Sequence, residues 1–199
     1  MNQLVVATGN KGKLAEIASV LAPFNMNVLP QSQFDVPEAD ETGLTFVENA
    51  IIKARNAAHH TGKAALADDS GLEVDALNGA PGIYSARYAG PNATDALNVE
   101  KLLHAISDLE GHQRSARFQC VMVYLRHEND PTPLICQGTW EGLITTAPEG
   151  SNGFGYDPVF WVPDHHCTAA QLSSEVKNSI SHRGQALKKL LAAFHDRNA

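Results

Sequence analysis

The sequence has 199 residues, of which 43% are hydrophobic and 19% charged, with a formal net charge of −7. That is the make-up of an ordinary globular protein, one domain or two closely joined lobes, with enough chain to bury a core. The acidic balance excludes a general affinity for nucleic acid or anionic membranes, so any polyanionic ligand must be met by locally placed cations. Met1-Asn2-Gln3 opens no basic and apolar leader, and no apolar run approaches membrane-spanning length, so the expected location is the cytoplasm. Cys120, Cys136 and Cys167 are odd in number and widely spaced, which suits reduced thiols rather than a disulfide framework or zinc ribbon. His59-His60 and His165-His166 lack metal-ligand spacing and read as solvated surface histidines.

Leu4 to Ala7 is a short apolar run that ends in Thr8-Gly9-Asn10-Lys11-Gly12-Lys13, after which Leu14, Ile17, Ala18 and Leu21 recur with helical period. This is strand, glycine loop, helix, an arrangement that can aim backbone N–H groups, a helix dipole and Lys11 or Lys13 at a phosphate chain. It is not a P-loop, being two residues short and lacking the hydroxyl after Lys13. Pro23 is expected to close the helix, and Met26 to Leu29 to form a second strand. The segment Gln31 to Glu41 is rich in carboxylates, and one of them could share a metal with Asp69. Thr45-x-x-Glu48 is a capping box, followed by the apolar stripe Val47, Ala50, Ile51, Ala54 and Ala58 of a helix ending at Gly62. Asn49 and Lys53 are four apart and share another face of it.

Ala64 to Ala67 predicts a short buried strand that breaks off at Asp68-Asp69-Ser70-Gly71, read as a turn before Leu72 to Ala76 resumes as strand. Neighbouring strand residues point to opposite faces, so Asp68 and Asp69 are expected to do different jobs. Thr94 or Asp95 caps a helix carrying Val99, Leu102, Leu103 and Ile106. Arg117 to Leu125 and Leu134 to Thr146 are two long β-segments, with Gly138 and Gly142 marking bulges or bends. Projecting from an α/β body, they would offer a dimer surface.

Phe154 stands between Gly153 and Gly155 in a turn, which leaves a ring face open for stacking on a base. Ser181 is expected to cap a last helix with the stripe Ala186, Leu187, Leu190, Leu191 and Phe194. His182 and Arg183 then lie in a first turn, where the dipole disfavours cations, so an anion or carbonyl is expected nearby.

A phosphate-type loop, clustered carboxylates, scattered lysines and an open aromatic together describe a magnesium-dependent enzyme for a nucleotide polyphosphate. The motifs Thr8 to Lys13, Glu41 to Ala50, Ala67 to Leu72, Gly79 to Arg87, Gly153 to Pro158 and Ser181 to Gly184 resemble, in order, those of the inosine triphosphate pyrophosphatase family, the dITP/XTP pyrophosphatases. The resemblance spans nearly the whole chain. It implies a single two-lobed domain over residues 1–199, of α/β class, with a long central mixed sheet, helices on both sides and a cleft between the lobes. It also implies a homodimer and Mg²⁺-assisted hydrolysis of non-canonical purine triphosphates (ITP, dITP, XTP) to the monophosphate and pyrophosphate, a nucleotide-pool cleaning role. By carry-over, Thr8, Gly9, Asn10, Lys11, Gly12 and Lys13 hold the triphosphate, with Lys53 and Lys177 adding charge. Glu41 and Asp69 bind the metal, Asp69 is also the general base, and Ser70 contacts substrate. Phe154, Gly155, Tyr156 and Asp157, with His182 and Arg183, form the base pocket.

The chemistry is consistent with that assignment. Cleavage between the α- and β-phosphates needs an in-line water, a base and cations over the leaving pyrophosphate. Donors facing the base are satisfied by a C6 carbonyl and left unpaired by the amino group of adenine. The rival within enzymes is a pyrophosphatase for modified pyrimidine or canonical triphosphates. The rival outside them is a non-catalytic nucleotide or RNA-binding module, against which Glu41, Asp68 and Asp69 speak, since they repel phosphate without a metal.

Overall fold

The computed structural model describes residues 3–22 and 26–198, without the side chains of Lys11, Arg197 and Asn198. Met1, Asn2 and Pro23, the expected helix stop, lie outside the described residues. Among the described residues seven strands form one mixed sheet in the order β2-β1-β3-β4-β5-β6-β7. The chain divides into two compact units: Met1–Asp69, Cys120–Gln137 and Gln185–Ala199 make the first, and Ser70–Gln119 and Gly138–Gly184 the second.

In the first unit, β1 (Gln3–Val6) pairs in parallel with β2 (Asn27–Pro30) and with the start of β3 (Ala64–Val74). The strand period sorts its core into two layers. Leu4 and Val6 pack with Ile17 and Leu21 of α1 (Lys11–Leu21) and with Leu187, Leu190 and Phe194 of α5 (His182–Asn198). Val5 and Ala7 pack with Ala50, Ala54, Ala57 and Ala58 of α2 (Phe46–Thr61). Helices therefore cover both faces of this part of the sheet. Thr45 caps α2 by accepting from the Glu48 amide, and Gly62 closes it.

In the second unit, α3 (Asp95–Ala105), capped by Thr94, supplies Val99 and Leu102 to a core with Leu72 and Val74 of β3, Phe118 of β4 (Ser115–Leu125) and Trp140 and Ile144 of β5 (Leu134–Ile144). Phe160 and Val162 of β6 (Phe160–Val162) complete it, and β6 pairs antiparallel with β5 and β7 (Cys167–Thr168). The alternate residues are polar. Gln119 donates to Glu73 and accepts from Thr139, and Arg117 clasps Asp75 and Glu141. Cross-strand polar pairs thus tie the strands together on that face.

Three expectations need correction. Asp68 to Gly71 do not form a turn: β3 runs unbroken through them, because their carboxylates find lysine partners and Gly71 and Leu72 are buried in the sheet. The long β-segments do not project as a free hairpin; β4 and β5 lie inside the sheet order, and most of their apolar side chains pack in the cores, with Ile135 left exposed. Gly142 marks a close approach within continuous β5, since a Cβ there would lie 2.5 Å from the Trp161 carbonyl oxygen. A seven-residue helix, α4 (Ser174–Ile180), precedes the expected last helix, and Ser181 joins the two, accepting from the Gly184 amide.

Candidate active site

The first unit gathers three carboxylates and two lysines. β1 ends at Val6, opposite Leu66, while β3 continues, so Asp68 and Asp69 lie past the carboxyl end of their parallel neighbour. The Thr8 to Lys13 loop leaves β1 at that level, and ligands of open α/β sheets gather there. Asn10 caps α1, its side-chain oxygen accepting from the amides of Gly12 and Lys13, and its own amide donates to Thr8 Oγ1. Lys13 is thereby set in the first helical turn, and its Nζ reaches Asp68 at 2.8 Å.

Asp69 points the other way, toward α2. Lys53 Nζ lies 2.8 Å from its Oδ1, and Asn49 Nδ2 donates to Oδ2 at 3.4 Å. The same Lys53 lies 3.0 Å from Glu41. Glu41 is delivered by a segment pinned to the start of α2: Gly43 N–H donates to Asn49 Oδ1 and Leu44 N–H to Glu48. Gly43 is required there, since a Cβ would sit 2.6 Å from that of Glu48 and 2.7 Å from Asn49 Oδ1. Burial pushes the Asp69 carboxyl above the usual carboxylate range, against the pull of Lys53. Burial lowers the pKa of Lys53, but the charges of Asp69, Asp68 and Glu41 outweigh it and raise the value, keeping the ammonium charged.

Among the described residues no three His, Cys, Asp or Glu side chains converge as a ready-made metal cage. Glu41 and Asp69 nevertheless converge on one cation, the Lys53 ammonium, and both are hard oxygen donors. Such a donor set suits a hard divalent ion whose remaining positions go to water and phosphate.

The second unit builds a different cluster. Gly153 and Gly155, at φ 79° and 63°, shape the turn that carries Phe154. Asp157, 2% exposed, accepts from Phe154 N–H at 2.9 Å and from Lys177 Nζ at 2.5 Å. Asp95, at the start of α3, accepts from Gly155 N–H at 2.7 Å. Phe154 remains 38% exposed, with Lys177 Nζ 4.9 Å and the Arg183 guanidinium 5.6 Å from its ring centroid. His182 is buried and lies parallel to Phe118, centroids 4.7 Å apart, and to Trp140 at 6.3 Å.

The expected residues thus fall into two groups. Thr8, Gly9, Asn10, Gly12, Lys13, Glu41, Lys53 and Asp69 belong to the first unit, while the side chain of Lys11 lies outside the described residues. Ser70, half-buried on β3, begins the second, with Phe154, Gly155, Tyr156, Asp157, Lys177, His182 and Arg183. Lys177, expected beside the triphosphate, is the partner of Asp157 and lies over Phe154. Tyr156 is 4% exposed and donates its hydroxyl to the Ser85 carbonyl. Asp95, Phe118 and Trp140 were not foreseen in this cluster; they join it through contacts distant in sequence, for which periodicity carries no signal.

Residues 4–193 match the Ham1 family. The chain is 60% identical over 196 residues to a Vibrio cholerae protein named dITP/XTP pyrophosphatase, covering 98% of each. It is 62% identical over 196 residues to a Photobacterium profundum protein of the same name, covering 98% of this chain and 100% of the other. Among solved structures it is similar to a HAM1 protein from Coxiella burnetii, with TM-score 0.94, 54% identity and coverage of 98% and 100% of the two chains. A second, from Mycobacterium abscessus and described as a nucleoside-triphosphatase and dITP/XTP pyrophosphatase, has TM-score 0.78 at 41% identity, covering 94% of this chain and 97% of that one. The six-motif resemblance and the fold agree with these matches, and the chain belongs to the Ham1 family.

Proposed function

We propose that this protein hydrolyses non-canonical purine nucleoside triphosphates, ITP, dITP and XTP, to the monophosphate and pyrophosphate with the aid of Mg²⁺. The observation that carries the reading is the Glu41–Lys53–Asp69 cluster beside the capped loop of α1, in a chain whose relatives bear the name dITP/XTP pyrophosphatase.

The polyphosphate is assigned to Thr8 to Lys13 and Lys53. There the amino end of α1 and two ammonium groups favour negative charge. Glu41 and Asp69 are assigned the divalent ion, which when bound supplies positive charge to the phosphate oxygens and makes nearby water more acidic. Asn49 donates to one oxygen of Asp69 and Lys53 to the other before ligands enter, and the Asn49 bond keeps the carboxylate oriented to take a proton from an attacking water. The water oxygen bonds to the α-phosphorus, the bond from that phosphorus to the bridging oxygen breaks, and pyrophosphate leaves. Ser70, consecutive with Asp69, is assigned a substrate contact.

The base is assigned to the Phe154 cluster. Phe154 offers a stacking face, and His182 and Arg183 are the donors for a C6 carbonyl. Fixing His182 against Phe118 and Trp140 sets that preference in advance, because adenine leaves such donors unpaired. Two copies of the chain are assigned to the working particle, which a sedimentation mass of two chains will support and a mass of one will contradict. Among the described residues no helix is long and apolar enough to cross a membrane, in keeping with a cytoplasmic enzyme of the nucleotide pool.

The reaction is tested by running ITP hydrolysis in water enriched in heavy oxygen. Attack at the α-phosphate places the label in inosine monophosphate and none in pyrophosphate. Label in pyrophosphate, or formation of inosine diphosphate, contradicts the mechanism.

A further inference from the structure

The charged cluster of the first unit holds three carboxylates against two ammonium groups. Lys13 pairs with Asp68 at 2.8 Å, and Lys53 bridges Asp69 at 2.8 Å and Glu41 at 3.0 Å. Four of these groups are assigned above to two different ligands, Glu41 and Asp69 to a divalent cation and Lys13 and Lys53 to a polyphosphate. Either ligand arriving alone meets opposition. A cation must displace the Lys53 ammonium from both carboxylates, leaving that half-buried charge uncompensated. A polyphosphate must approach with the carboxylates still in place, like charge against like. Arriving together, the ligands let each side exchange partners, and no charge is left unmatched.

The geometry supports Lys53, and not Lys13, as the group that moves. Lys13 holds Asp68, whose side chain is 1% exposed and which is not assigned to the metal. Lys53 spans the two assigned carboxylates. Asn49, one turn earlier on α2, holds the other oxygen of Asp69 and, through Gly43, the segment that carries Glu41. That neutral amide keeps the carboxylates placed when the ammonium leaves.

We propose that Lys53 is an exchangeable counter-cation: it holds Glu41 and Asp69 together in the metal-free protein and passes to the substrate's phosphates when the divalent ion enters, so that metal and polyphosphate bind with positive coupling. The inference rests on the assignment of Glu41 and Asp69 to the metal under the proposed function.

The test is calorimetric titration of the full chain with Mg²⁺, alone and with inorganic pyrophosphate, corrected for metal taken up by free pyrophosphate. In the native protein pyrophosphate tightens metal binding by about 5- to 150-fold, the usual span of coupling between sites. Lys53→Met binds Mg²⁺ alone more tightly than the native chain and loses most of that coupling, while Lys53→Arg binds it as weakly as the native. A Lys53→Met chain that binds Mg²⁺ alone no more tightly than the native overturns the exchange. Should that variant fail to fold, the native chain still decides the matter through the acylation rate of Lys53, read by peptide mass spectrometry. The rate rises with Mg²⁺ alone and falls when pyrophosphate follows; a rate indifferent to Mg²⁺ overturns the proposal. Mg²⁺-dependent ITP hydrolysis by the native chain separates the two claims. Its absence removes the functional reading, whereas its presence with an unchanged metal affinity in Lys53→Met removes only the exchange.

Discussion

Asp68 and Asp69 are consecutive on β3 yet belong to different lysines, Asp68 to Lys13 on α1 and Asp69 to Lys53 on α2, each at 2.8 Å. Strand alternation sends the two carboxylates to opposite faces, and each face has its own helix. Their removal should therefore have different consequences. Asp68→Asn strips a buried counter-ion from Lys13 and is expected to cost about 1.5–3 kcal/mol of stability, the range for hydrogen bonds to charged groups. Asp69→Asn should leave stability nearly intact and lower kcat by about 10²–10⁴, the span of a general base. The pH dependence follows from the raised pKa of Asp69. A carboxyl raised by burial favours the fold while protonated, and that contribution is lost as pH rises through its folded value. Native stability should thus fall relative to Asp69→Asn over the pH range just above the ordinary carboxylate value. Thermal melts and initial rates of both variants check this, and matching losses in the two would contradict the division.

Tyr156 tests whether the Phe154 turn is supported from beneath. Its buried hydroxyl donates to the Ser85 carbonyl at 2.8 Å, and Ser85 Oγ in turn accepts from Leu72 N–H and donates to the Gly82 carbonyl. Tyr156→Phe leaves a buried carbonyl unsatisfied and is expected to cost about 1–3 kcal/mol, with kcat per folded molecule little changed. A specific loss of activity at unchanged melting temperature would return Tyr156 to the substrate.

Phe154 separates base from phosphate recognition. Phe154→Ala should raise KM for ITP by about 5- to 150-fold, since a base stacked on an aromatic contributes about 1–3 kcal/mol. Inhibition by pyrophosphate, which has no base, should be nearly unchanged. Equal weakening of both ligands contradicts a stacking role.

Asp130 sets an acid limit on the first unit. It is fully buried and accepts from the Arg126 amide and guanidinium and from Thr132 N–H. The Arg126 hydrogen bonds hold its carboxyl well below the usual range. A depressed carboxyl stabilises the fold above its unfolded value, near 3.8, and loses that contribution as pH falls toward its folded one. Asp130→Asn should therefore melt below the native chain at pH about 7, with the gap closing as pH drops below about 4. A gap that persists unchanged in acid would mean the charge is not what matters.

Local chemistry was legible in the sequence where neighbours decide the outcome. Thr45 and Glu48 announced α2, Ser181 the start of α5, and Val121, Val123 and Leu125 one buried side of β4. The Asp68 to Gly71 run shows the limit. Locally those residues favour a turn, but the lysines that keep Asp68 and Asp69 in the strand lie 55 and 16 residues earlier in the chain. The stack of His182 on Phe118 and the pairing of Lys177 with Asp157 are of the same kind, set by the assembled fold. α4, at seven residues, is too short for a periodic stripe to reveal.

The central claim, Mg²⁺-dependent hydrolysis selective for the non-canonical purine triphosphates, is met most directly by measuring pyrophosphate release from ITP, XTP, GTP, ATP and dTTP, each with Mg²⁺ and with EDTA. Rapid release from ITP and XTP, little from the other three and none with EDTA is the predicted result. Comparable release from dTTP or from all five would contradict the assignment of the Phe154, His182 and Arg183 cluster to the base, and no release from any would contradict the enzyme itself.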